Sequence, residues 1–161
     1  DASVKLQPLI LGGGQERGLR SGTENVPAII GLSYALELTQ TLRASETRRL
    51  RSLQELFFEL ISAQIPEAVI NGSLKSRLPN NVHLTLPGQD NERLIFALDE
   101  AGILAAAGSA CSASREEPSH VLKACGLSDS DAQSSLRFSM GRSTTEAKVR
   151  KTVEILSKLL K

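Results

Sequence analysis

Tryptophan does not occur in this chain, and the other rings are few: one tyrosine and four phenylalanines in 161 residues. So little aromatic surface leaves no platform on which successive bases could stack. A net charge of +1 supplies no field for a phosphate backbone either, so nucleic acid is not an expected partner. Long apolar runs are missing as well, and none approaches the roughly 20 residues that a membrane helix requires. Cysteine is scarce. Cys111 and Cys125 are not a C-x-x-C pair, and a chain of this size needs no disulfide staple, so a reducing, cytoplasmic setting is expected. The opening residues Asp1 to Lys5 are not a basic segment running into an apolar one, so no signal peptide is read there. Methionine occurs once, at Met140, so the chain reads as an excised or processed piece of something longer.

What is present is ordinary globular composition, 40% hydrophobic and 23% charged, enough for one real core. Residues 4–11, VKLQPLIL, read as a strand entering Gly12-Gly13-Gly14. The polar stretch QERGLRSGTENVP is a loop, with Asn25 as a helix N-cap and Pro27 in a first turn. From Ala28 a long helical pattern follows, through Leu32 to Ile61, with apolar ends around the polar middle RASETRRLR. As one helix it would span roughly 50 Å at 1.5 Å per residue and bridge two packed bodies; the alternative is two helices broken near Ser45. After Pro66, AVING is a short strand, and NNVHLTL alternates in the half-buried manner with Val82, Leu84 and Leu86 on one face. DNERLIFALDEAG reads as a capped helix ending at Gly102, ILAAAGSAC as a strand, PSHVLKACG as a short helix that buries Cys125, and SSLRFSMG as a strand. A final amphipathic helix is capped by Thr144 or Thr145. Short strands followed by helices predict a compact α/β or α+β unit.

The glycine cluster fails as a nucleotide loop at the decisive residues. A Walker loop starting at Gly13 would need lysine where Leu19 stands, and a dinucleotide fingerprint on Gly12 and Gly14 would need glycine where Arg17 stands. His83, Cys111, His120 and Cys125 lack zinc-ligand spacing, so no metal is expected. ERGLRSGT nevertheless combines two arginines, flexible amides and the Thr23 hydroxyl just before a helix N-terminus; these suit a phosphate site, and equally a surface turn. Cys111 is unlike a packing cysteine. It sits in AAAGSACSAS, among small residues that allow the backbone to bend and a ligand to approach. His120, nine positions on, could act as a base for that thiol or simply face solvent at the start of its helix.

Taken in order, GGGQERGLRSGTENVPAIIGL, GSACSAS and LRFSMGRSTTEAKV resemble the cysteine desulfurases, and LPNNVHLTL and EPSHVLKACGL extend the likeness over nearly the whole chain. That family consists of pyridoxal 5'-phosphate enzymes that take sulfur from L-cysteine, leave L-alanine and hold the sulfur as a cysteine persulfide. The resemblance implies that Cys111 is the catalytic nucleophile, that Arg137 binds the substrate carboxylate and that Thr23 reaches the cofactor phosphate of a partner subunit. Arg142 is then structural. It also implies an α/β fold: the C-terminal small domain of the fold-type I pyridoxal-phosphate transferases, with a long connecting helix and the tail of the large domain. Residues 1–26 would be that tail and 27–161 the helix and small domain. The family's cofactor lysine follows a histidine, and no His-Lys pair occurs in this chain, so the chain alone is expected to be inactive. Implied partners are a second copy in a homodimer and a sulfur acceptor such as an iron–sulfur scaffold. Selenocysteine lyase, or a non-catalytic persulfide carrier, is the alternative function.

Overall fold

The computed structural model describes residues 4–108 and 118–161. It divides into two units, Asp1–Arg43 and Ala44–Lys161. In the first, a loop containing a 3-10 turn at Glu16–Gly18 leads to helix α1, Val26–Gln64, which begins in this unit and ends in the second. Asn25 caps it through Oδ1, which accepts from the Ala28 amide at 3.1 Å, and Pro27 falls in the first turn as expected. The 39 residues are one unbroken helix, with no interruption near Ser45. Residues 4–11 are not a strand. Pro8 has no amide hydrogen to give a ladder, and the one backbone bond of this segment runs from the Ser21 amide to the Ile10 carbonyl at 3.1 Å.

The second unit carries the core. Strands β1 (Val69–Ile70), β2 (Asn81–Thr85) and β3 (Ser135–Ser139) form an antiparallel sheet in that order. Val82 pairs with Phe138 and Leu84 with Leu136, so their side chains share one face. Against that face pack Leu50, Leu53, Phe57 and Ile61 of α1, Leu94 and Leu98 of α2 (Asn91–Glu100), and Val149, Val153 and Leu156 of α5 (Glu146–Leu159). Phe57 and Phe138 meet with ring centroids 5.4 Å apart. Caps fix the helix starts: Asp90 accepts from the amides of Glu92 and Arg93, and Thr145 from that of Lys148. Arg49 of α1 bonds Glu46 and donates to the carbonyls of Gly141 and Thr144, which ties the turn after β3 to the helix.

Two short helices complete the unit, α3 (His120–Ala124) and α4 (Asp129–Gln133); α4, capped by Ser128, has no counterpart in the sequence reading. Only Leu122 of α3 is buried. His120 therefore faces solvent, and Cys125, placed at the C-cap beyond the helix's one inward turn, is exposed rather than buried. Among the described residues no helix is long and apolar enough to cross a membrane, and no group of acidic, histidine and cysteine side chains could hold a metal ion.

Candidate active site

The sheet's second face is not the solvated one that an alternating strand predicts. His83 and Thr85 are buried as well, at 9% and 3% exposure. They are joined by Ser135 and Arg137, which stand opposite them on β3 and so point the same way. A directed chain of hydrogen bonds runs across this face. The Asn71 amide donates to Thr85 Oγ1 at 2.8 Å, Thr85 meets Ser135 Oγ at 2.8 Å, and Ser135 donates to the Asp131 carbonyl at 2.6 Å. The second hydrogen of the Asn71 amide goes to His83 Nδ1, also at 2.8 Å. His83 Nε2 has no partner among the described residues, and neither do Nε and Nη1 of the nearby Arg77.

Arg137 sits at the middle of this arrangement. Its amide donates to the Ala106 carbonyl at 2.7 Å and its carbonyl accepts from the Ala106 amide at 3.1 Å, an isolated bridge rather than the full strand that ILAAAGSAC suggests. Both backbone groups of Arg137 thus face Ala106, while His83 turns its carbonyl to the Asn71 amide. The His83–Arg137 rung is therefore of the non-hydrogen-bonded kind, in which cross-strand side chains lie closest. Arg137 is half-buried, and no ion pair among the described residues includes it. The His83 ring is held below the ordinary histidine range, first by burial and then by the charges of Arg137 and Arg77. Arg77 donates to the Asn71 carbonyl and lies 5.2 Å from the Phe58 ring centroid.

The bridge at Ala106 leads toward the cysteine segment. Gly108, two residues on, is buried at a positive φ of 44°, and a Cβ there would come 2.6 Å from that of Ser119. Only glycine fits this approach. Cys111 itself lies outside the described residues. Thr23 is in the other unit, exposed in the loop before α1. That loop is cross-tied: the Gly14 amide donates to Ser21 Oγ at 3.2 Å and the Gly22 amide to Gln15 Oε1 at 3.1 Å. Gln15 and the buried Ser21, which brace it, carried no mark in the sequence beyond their place among glycines. Asn71 and His83 were also missed as a pair. The signal for His83 was a polar residue at every second position of a strand too apolar to lie at an edge.

An aminotransferase class-V family model matches residues 1–152, and the chain belongs to that family. Among its relatives, the cysteine desulfurase IscS 1 of Archaeoglobus fulgidus is 46% identical over 153 residues, which is 95% of this chain and 40% of that protein. The cysteine desulfurase IscS of Clostridium botulinum strain Hall is 42% identical over 160 residues, covering 98% and 40%. A solved NifS-like protein of Rickettsia africae superposes with a TM-score of 0.79 at 29% identity, over 98% of this chain and 41% of that one. The chain thus spans about two fifths of the length of the relatives it matches.

Members of this family depend on pyridoxal phosphate. The Thr23 hydroxyl is open to a phosphate, although the Gly14 and Gly22 amides are already spent on side chains of the loop. No residue fits the anchoring end: all seven lysines are exposed, and Lys123, Lys148 and Lys158 are engaged with Asp129, the Ser143 carbonyl and Glu154.

Proposed function

We propose that this chain is the C-terminal part of a cysteine desulfurase that acts on L-cysteine and holds the released sulfur as a persulfide on Cys111. The observation that carries the proposal is Arg137: the residue is half-buried, its side chain pairs with no carboxylate among the described residues, and its backbone is bridged to the segment that leads into G-S-A-C. Such a group suits bidentate capture of an amino-acid carboxylate. Cys111 lies five residues beyond Ala106 in sequence, on the same segment that borders Arg137. Its thiolate is the form that accepts sulfur, so activation by a neighbouring group is part of the reading. Thr23 would take the cofactor phosphate, across a homodimer interface. When bound, pyridoxal phosphate supplies the electron sink for breaking the carbon–sulfur bond; its lysine must come from outside this chain.

In this reading residues 1–26 end the large cofactor domain, and 27–161 form the connecting helix and small domain of the fold-type I transferases. A sulfur acceptor such as an iron–sulfur scaffold would take the persulfide, in a cytoplasmic setting. The test is alanine production from L-cysteine by the full-length protein. Wild type should turn over, Cys111→Ser should form alanine no faster than background, and Arg137→Ala should raise KM by about 100-fold, the scale of a lost charge-assisted pair. Turnover that survives Cys111→Ser would overturn the assignment.

A further inference from the structure

His83, buried on the polar face and tethered by Asn71, takes no part in the proposed reaction. Its ring has a single donor–acceptor arrangement. Both hydrogens of the Asn71 amide are committed, one to Thr85 Oγ1 and one to His83 Nδ1, so Nδ1 must accept and the proton of the uncharged ring sits on Nε2. The only lone pair of the ring is therefore consumed by Asn71. What remains toward its neighbours is an N–H donor, which offers a guanidinium nothing to bond. The Thr85–Ser135 rung next to it is closed by its own hydroxyl bonds, which leaves the ring no second place to go.

The closest cross-strand neighbour of that ring is Arg137, because the backbone groups of both residues are engaged on their outer sides, by Asn71 and Ala106. The choice of residue at such a rung decides what becomes of the arginine. A carboxylate there would form a cross-strand ion pair and neutralise it, and a cation would repel it. An exposed lone pair would absorb part of its donor fork. A tethered imidazole with its acceptor already occupied does none of these.

We propose that His83 is the positioning residue for Arg137: held by Asn71, its imidazole fills the nearest cross-strand place and reserves the guanidinium for the carboxylate of an amino-acid ligand. This rests on the proposed carboxylate role of Arg137. His83 acts through the arginine and touches no ligand.

The test uses the full-length holoprotein with two thiol competitors of L-cysteine turnover. 3-Mercaptopropionate has a carboxylate and no amine; cysteamine has an amine and no carboxylate. His83→Asn and His83→Asp are nearly the same shape and differ in charge. Relative to His83→Asn, His83→Asp should weaken inhibition by 3-mercaptopropionate about 10-fold and raise KM for L-cysteine by a similar factor, with kcat and inhibition by cysteamine within about 2-fold. Equal weakening of both competitors, or of neither, would overturn the proposal while leaving the desulfurase reading intact. Wild type that fails to turn over L-cysteine overturns both. Asn71→Ala keeps the test alive if His83→Asp does not fold: by freeing the ring it should weaken 3-mercaptopropionate alone, by about 3-fold, and unchanged inhibition would overturn the proposal.

Discussion

The two units of this chain bury their apolar residues to opposite degrees. In Ala44–Lys161 the large aliphatic side chains of α1, α2, α5 and the sheet close on one another, with Ile61, Leu84, Leu98, Leu136, Val153 and Leu156 fully buried. In Asp1–Arg43 the same residue types face outward: Leu9 is 95% exposed, and Ile29, Ile30, Leu32, Tyr34 and Leu36 line exposed helix. Helix α1 passes through both regimes, with its buried residues confined to Leu50 and beyond. Within this chain, the second half of α1 is backed by tertiary packing and the first half by its own backbone hydrogen bonds. The first unit is tied, within this chain, by the Asn25 cap and by the Ser21 and Gln15 bonds.

Truncating the core should show this contrast most strongly. Leu84→Ala or Phe57→Ala should cost about 2–5 kcal/mol in urea denaturation, whereas Leu32→Ala on the exposed helix should stay within roughly 0.5 kcal/mol. Comparable losses would mean that the first unit has a core of its own. Glycines sharpen the comparison at a smaller scale. Gly108→Ala forces a Cβ against Ser119 at an unfavourable φ and should destabilise by about 1–3 kcal/mol. Gly31→Ala, inside α1 with nothing near its added Cβ, should instead stabilise by about 0.5–1 kcal/mol.

The smallest effect belongs to pH. The folded-state pKa of His83 lies below its unfolded value of about 6.5. Below that value the unfolded chain takes up a proton that the folded chain resists. His83 therefore contributes stability that is full above about 6.5 and is lost as pH falls through the lower folded value. Denaturation midpoints at pH 7.5 and 5.5 should differ more for wild type than for His83→Asn, and equal differences would show that the ring titrates freely when folded.

Much of the second unit was legible in sequence because its signals are local. Asp90 and Thr145 announce their helices, and the apolar spacing of Leu50, Leu53, Phe57 and Ile61 gives the inward stripe that packs. Non-local facts were not legible. Whether VKLQPLIL finds a ladder partner depends on other chain segments, and the alternation of β2 could not say that its polar side is also covered. Cys125 looked buried because its short helix reads as amphipathic, yet that helix turns in only Leu122. For the candidate site, Cys111 and Thr23 stood out by their local setting, and Arg137 through resemblance alone. Nothing in the sequence hinted at Ala106 or Asn71, whose roles exist only through strand register.

The bridge between Ala106 and Arg137 has a consequence for how the site could be watched. Its two amides exchange with solvent only when their shared pair of hydrogen bonds opens, so their deuterium uptake is a local gauge of the rung. If sulfur loading on the adjoining segment strains the arginine, these two amides should lose protection together while those of Val82 and Leu84 in β2 stay slow. If the rung insulates the arginine from the segment, their uptake should not change, and in the proposed reaction delivery of sulfur would leave Arg137 ready for the next substrate carboxylate.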